Sequence, residues 1–306
     1  GTMPEYWTHF KVALDEPNNP VYDLKATDLE FLVNGKWTSV APINVGTYKV
    51  RISDQGWKNI KAINSDNVTW SATASDGEGS YEVKQANVTA TLSGQNSMVY
   101  SGNAATTADL YAGDSTIKVV INSNGKIANL PVNFTLEGGD YTWNTTDGKA
   151  PVIVGPYTIS LTQAGLAKIQ ELINGAVGEG NVALTTTPAN AGTANFAITQ
   201  AVAPNVQLYG NEKSTYNGQA VNFVPTNTET KKNYGFNNVE NLTIPTLTSD
   251  DFEWVDKDGN VVTAPVNVGT YYLQLNAKGE AAIADANPDY SFVDQNGKST
   301  ISGMIT

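Results

Sequence analysis

The side chains with chemical potential in this chain are carboxylates, amides and aromatic rings, and little else. Two acids stand together at Asp250-Asp251. A glycosidase-type pair needs two carboxyls about 5 to 9.5 Å apart across a cleft. These acids instead sit where related stretches of the chain also start a strand with an acid, which argues for structure. Asp256-Lys257-Asp258-Gly259-Asn260 resembles the opening of a calcium loop, but no glutamate closes it as an EF-hand requires. Asp-Gly suits a tight hairpin turn, and Asp147-Gly148-Lys149 and Asn34-Gly35-Lys36 hold the same place elsewhere, so turns are expected at all three. There is no cysteine and one histidine, His9. Disulfides and thiolate metal sites are therefore excluded, and Ser-His-Asp chemistry has almost no material. We expect no catalytic residue, no metal and no cofactor.

Aromatics are the remaining means of recognition, since Trp and Tyr join a flat apolar face to a polar tip. Trp143 and Trp254 share a repeat position with Phe31, Trp57 with Leu166, and Trp70 with Leu184 and Phe292; these read as core. Tyr100 and Tyr216 read as packed against their turns. Trp37 stands beside a turn without an apolar counterpart, and Tyr111, Tyr209 and Tyr234 lie in polar stretches. These four are the exposed aromatics expected to touch a ligand. Trp7 is unplaced.

What must position all of these is a unit stated three times. Ala41-Pro42-Ile43-Asn44-Val45-Gly46-Thr47-Tyr48 returns as Ala150-Pro151-Val152-Ile153-Val154-Gly155-Pro156-Tyr157 and as Ala264-Pro265-Val266-Asn267-Val268-Gly269-Thr270-Tyr271. That period is too long for a solenoid unit and right for a small domain. The 306 residues, 16% charged and 40% apolar, have a globular composition. Length alone suggests about two domains; the repeat raises this to three, 1–86 (its N-terminal part shortened or divergent), 87–201 and 202–306. The net charge of −12 and a single arginine, Arg51, make nucleic acid and anionic membrane poor partners. No apolar run approaches a membrane span. Asn-x-Thr sequons at Asn67, Asn87, Asn133, Asn144 and Asn241 are of the number an Asn- and Thr-rich chain yields by chance.

The middle copy gives the plan. Alternation predicts a strand at Asn87–Leu92, a β-branched strand at Thr116–Ile121, a turn at Asn124-Gly125 and a glycine-broken strand from Val132 to Trp143. Asp140-Tyr141-Thr142-Trp143 matches Asp28-Leu29-Glu30-Phe31 and Asp251-Phe252-Glu253-Trp254, a pattern that sends two large side chains to one strand face. A strand Val154–Leu161 leads into a helix from Thr162 to Gly175, with Leu166, Ile169, Leu172 and Ile173 as its stripe. Gly56, Trp57, Ile60 and Ile63 repeat that signal, as do Gly279, Ala282, Ile283 and Ala286. Strands Val182–Thr186 and Asn195–Thr199 close the unit, with Phe196 to Ala201 matching Tyr81 to Ala86; the third copy should end in a strand from Ser299 to Thr306. The expected fold is α+β, mostly β: tandem β-grasp-like domains of antiparallel strands around one short helix, forming an elongated rod with stiff joints. An immunoglobulin-like sandwich is the alternative.

The Tyr-x-Gly starts at Tyr100 and Tyr216, the Val-Gly-Thr-Tyr phrase before a Gly-led helix, and the closing strand Phe196 to Ala201 resemble the MBG-type repeats of Gram-positive, wall-anchored adhesins, above all the mucus-binding surface proteins of lactobacilli. The resemblance covers the second and third units nearly end to end and the later part of the first, where residues 4–27 lack the Tyr-x-Gly phrase. It implies an extracellular, cell-wall-anchored, monomeric, non-enzymatic module that attaches to mucin glycans or host glycoproteins. A passive spacer, or the accessory repeats of an extracellular carbohydrate-active enzyme, are the alternatives. It also implies that a Lys–Asn amide crosslink could brace the core, with Lys49, Lys84 and Lys118 as strand lysines to consider.

Overall fold

The glycine-rich turns and alternating strands of the sequence become, in a computed structural model, a mostly β chain with a few short helices. Residues 5–13, 21–62, 77–123 and 127–306 are described; Ile63, Asn67, Trp70 and the Asn124-Gly125 turn lie outside them. The chain divides into two compact units, one of residues 1–94, 117–142 and 160–194, the other of residues 95–116, 143–159 and 195–306. The middle repeat contributes to both.

In the first unit, one four-stranded antiparallel sheet has the order Lys36–Thr38, Leu29–Val33, Gly46–Ile52, Glu78–Val83. Asn34 and Gly35 join its first two strands with φ of 50° and 77°, both in the left-handed region that a type I′ hairpin needs. The helix Asp54–Lys61 follows the third strand, and Phe31, Leu29, Val50 and Tyr6 build the core. A second sheet orders Asn133–Phe134, Lys118–Asn122, Ala86–Ser93 and Val182–Leu184. The helix Gln163–Val177 buries Leu166, Ile169 and Ile173.

The second unit takes most of a sheet ordered Tyr141–Trp143, Gly155–Leu161, Thr193–Thr199, Gln95–Val99. It also holds the five-stranded sheet of the third repeat, ordered Tyr234–Asn237, Val206–Gly210, Ile301–Ile305, Tyr272–Leu275, Phe252–Val255. Val206, Leu208, Phe223, Phe252, Leu273 and Ile283 are among its buried side chains, the last from the helix Ala277–Asp285.

Several expectations change. The sheets of the middle and third repeats hold parallel pairs: Val182–Leu184 runs parallel to Ala86–Ser93, Thr193–Thr199 to Gln95–Val99, and Ile301–Ile305 to Val206–Gly210. Leu172 is 41% exposed. It lies about 100° around the helix from Ile173 and falls off the buried stripe. The helix passes Asn174-Gly175 and stops at Gly178, where φ is +89°. Between Val132 and Trp143 only Asn133–Phe134 and Tyr141–Trp143 are strand, because the chain turns at Gly139 (φ +92°). Tyr216 is 63% exposed, against the expectation that it is packed.

Candidate functional site

The recurring acid is a lock between strand and helix. Asp28, Asp140 and Asp251 are 0%, 1% and 5% exposed. Each carboxylate accepts the N–H three residues earlier, from Lys25 (2.8 Å), Glu137 (2.8 Å) and Thr248 (2.6 Å). Each backbone carbonyl accepts the N–H of the residue that caps the helix, Ser53 (2.8 Å), Thr162 (2.9 Å) or Asn276 (3.1 Å). Those caps in turn accept from Gly56, Gly165 and Gly279 at 3.0, 3.1 and 3.0 Å. The glycine is compulsory: a Cβ there would lie 2.4, 2.3 and 2.3 Å from the carbonyl oxygen of Asp28, Asp140 and Asp251. Burial pushes the Asp251 carboxyl up, but the Thr248 N–H and hydroxyl and the Lys278 ammonium outweigh it and hold it below the usual carboxylate range. Exposed Asp250 shares that lysine at 3.7 Å, against 3.5 Å for Asp251, so the pair clasps a helix start and does not flank a cleft.

The other acids close turns. Asp256 accepts from the N–H groups of Asp258 (2.8 Å) and Asn260 (3.0 Å), and Asp147 from that of Lys149 (3.1 Å). Among the described residues no three His or carboxylate side chains converge as a cation site would require. Lys49, Lys84 and Lys118 all project to solvent, so none of the three is placed to brace a core through an amide crosslink.

The most repeated phrase has a different task. The Tyr48 ring lies over Gly46, 3.4 Å from where a Cβ would stand, and its hydroxyl donates to the Asn44 carbonyl at 2.8 Å. Tyr157 covers Gly155 in the same way and donates to Ile153 at 2.9 Å. Each loop, braced by its own tyrosine, offers its valine N–H to the following repeat. Within the first unit, Val45 donates to Asn181 Oδ1 at 2.7 Å, and Asn181 Nδ2 donates back to Asn44 Oδ1 at 3.0 Å. Within the second unit, Val154 donates to the Asp289 carboxylate at 2.8 Å. Asn181 and Asp289 hold the same place, immediately before the strand that follows the helix.

A second bond accompanies each joint. Gln85 Nε2 donates to the Gly180 carbonyl at 2.9 Å, and Gln200 Nε2 to that of Pro288 at 2.9 Å. At the second joint Tyr100 also meets Tyr290 edge-on, with centroids 5.4 Å apart. Burial first, and then the Asp289 charge, raise the phenol pKa values of Tyr100 and Tyr157. Sequence reasoning did not single out Asn181, Asp289, Gln85 or Gln200. The one legible signal was the aligned Gln-Ala pair at 85–86 and 200–201.

The four candidate aromatics fare differently. Trp37 is half-buried under the Arg51 guanidinium, 4.2 Å from its ring, and Arg51 is itself paired with Glu30 at 2.9 Å. Tyr111 is half-buried at the end of the short helix Thr107–Leu110. Tyr209 is 49% exposed. Tyr234 corrects the expectation: it is 4% exposed, packed edge-on against Phe252 at 5.5 Å, and burial raises its phenol pKa. Its strand pairs with Val206–Gly210, so alternation sends Tyr209 outward while Tyr234 fills the core. Trp143 meets Phe196 at 5.2 Å and Phe31 meets Tyr81 at 5.3 Å, an equivalent pair of edge-on contacts in two repeats. The second unit also carries an open groove of ≈ 650 Å³ beside Tyr157, lined by Asn96, Asn144, Asn195 and Asp114.

A family model described as MBG domain matches residues 3–85, 87–200 and 203–305. A solved structure of a cell surface adhesin from Lactobacillus reuteri is 29% identical over 36% of this chain and 93% of its own, with a TM-score of 0.23. No curated protein matches.

Proposed function

The chain belongs to the MBG domain family through three tandem matches, and from that premise we propose that it is a non-catalytic repeat module of a bacterial cell-surface adhesin. The carrying observation is the threefold match along nearly the whole chain. The module works outside a Gram-positive cell, as part of a wall-anchored protein, and attaches to mucin glycans or other host glycoproteins. We place its domain boundaries near residues 86 and 201. Each domain reads as β-grasp-like; in the second and third this is supported by an opening strand that runs parallel to a strand beyond the helix. The clasps support a stiff joint between each domain and the next in a tandem array. Many weak contacts along such an array raise the effective concentration of each next contact, so avidity exceeds single-site affinity by ~10²–10⁴.

The contacts we favour for sugar are solvent-facing Tyr209 and the amide-lined groove beside Tyr157. The test is retention of the full chain on an array of mucins and defined glycans. Specific retention, weakened by Tyr209→Ala, supports the reading. Absence of retention on every surface would return the module to its second reading, a passive spacer. One observation favours that second reading: the recurring acids, the helix glycines and the first two copies of the repeated loop are occupied in holding the chain's own elements together.

A further inference from the structure

We propose that the loop of residues 264–271 in the third domain is an open joint socket that takes a further MBG domain carrying an asparagine at the position of Asn181. Asn267-Val268-Gly269-Thr270-Tyr271 repeats Asn44-Val45-Gly46-Thr47-Tyr48 residue for residue. Tyr271 folds over Gly269, 3.2 Å from the place of a Cβ, as Tyr48 covers Gly46. The base of the loop is anchored as in the middle repeat: the Val221 N–H donates to the Pro265 carbonyl at 2.9 Å, and that of Ala105 to Pro151 at 2.9 Å. The socket therefore shares its tyrosine cover with both filled sockets and its anchored base with that of the middle repeat.

What differs is occupancy. Val45 is 39% exposed and Val154 is half-buried, while Val268 is 86% exposed. Among the described residues the Val268 N–H has no acceptor.

The side chain beside each socket selects its partner. Asn44 can both give and take a hydrogen bond, and it faces Asn181, whose amide does both. Ile153 offers no polar side chain, and its socket holds Asp289, which only accepts. Asn267 restores the chemistry of Asn44. An incoming asparagine would accept from Val268 N–H with Oδ1 and donate to Asn267 Oδ1 with Nδ2, as Asn181 does at the first joint. The occupant is thus an MBG domain of the middle repeat's kind, joined head to tail.

The test extends the full chain at Thr306 with a second copy of residues 85–201, and measures amide hydrogen exchange at Val268 by NMR. Thr306 follows Ile305 as Thr199 follows Ile198, so the appended Gln85 enters where Gln200 does in the native chain. The expected result is exchange at Val268 slowed about tenfold, to the rate of Val45 in the same molecule, the effect of about one net hydrogen bond. Asn181→Ala in the appended copy alone should restore fast exchange. Protection of the appended copy's own helix amides reports that it is folded. Unchanged exchange at Val268 with a folded appended copy overturns the socket. An extension by residues 200–306 presents aspartate and should slow Val268 less; equal or greater slowing overturns the asparagine assignment.

Discussion

At the scale of single residues, the same amino acid does opposite work at two places on one helix. Gly165 meets the Asp140 carbonyl oxygen, where a Cβ would stand 2.3 Å away, while Gly175 has nothing within 4 Å. Gly165→Ala should lower the stability of the middle repeat by about 1–3 kcal/mol, because a backbone oxygen cannot step aside. Gly175→Ala should raise it by about 0.5–1 kcal/mol through helix propensity. Urea unfolding of the two variants checks both, and equal effects would refute the lock. The acids give the pH response its sign. Asp251 titrates in the folded state below its unfolded value of 3.8, so its contribution is present above that value and is lost as pH falls through the folded pKa. Buried Tyr234 is raised above 10.0, so its contribution is present below pH 10.0 and is lost as pH rises through its folded value. Thermal melts across pH should show the third repeat weakening at both ends, and Asp251→Asn should flatten the acid limb.

At the scale of elements, the joints are the point of interest. Half-buried Asp289 spends its carboxylate bond on Val154 of the preceding repeat, so Asp289→Ala should change the stability of the third repeat by no more than one net hydrogen bond, ~0.5–1.5 kcal/mol. The same change should speed amide exchange at Val154 toward the rate of Val268. It should also bring the phenols of Tyr100 and Tyr157 back toward the ordinary range, since the Asp289 charge is one cause of their rise. Ultraviolet titration reads the second effect; phenols that do not move would show that Asp289 does not face them. The helices were legible from sequence because a glycine-led apolar stripe recurs at the same place. The joints were not legible. The donors of their valine bonds are backbone N–H groups, which leave no residue signature, and the acceptors lie 136 and 135 positions away, so only the accompanying Gln85 and Gln200 left a trace in the sequence. Tyr234 was misjudged for a related reason: flanking lysines and asparagines made its short strand look like loop, and pairing with Val206–Gly210 overrode that local impression.

At the scale of the whole molecule, the three MBG domains repeat one lock and one braced loop, and at both joints that loop meets the next repeat. The net charge of −12 disfavours association with polyanions, and among the described residues no helix is long and apolar enough to cross a membrane. As an adhesin, such a chain gains affinity from repetition when several domains engage one target together. The measurement that reaches this most directly follows dissociation of the full chain from mucin-coated surfaces of decreasing density. We expect dissociation to slow steeply as density rises, and to reach one fast single-site rate on the sparsest surface. Retention that is absent, or a dissociation rate that does not change with density, would contradict an adhesin acting through repeated contacts.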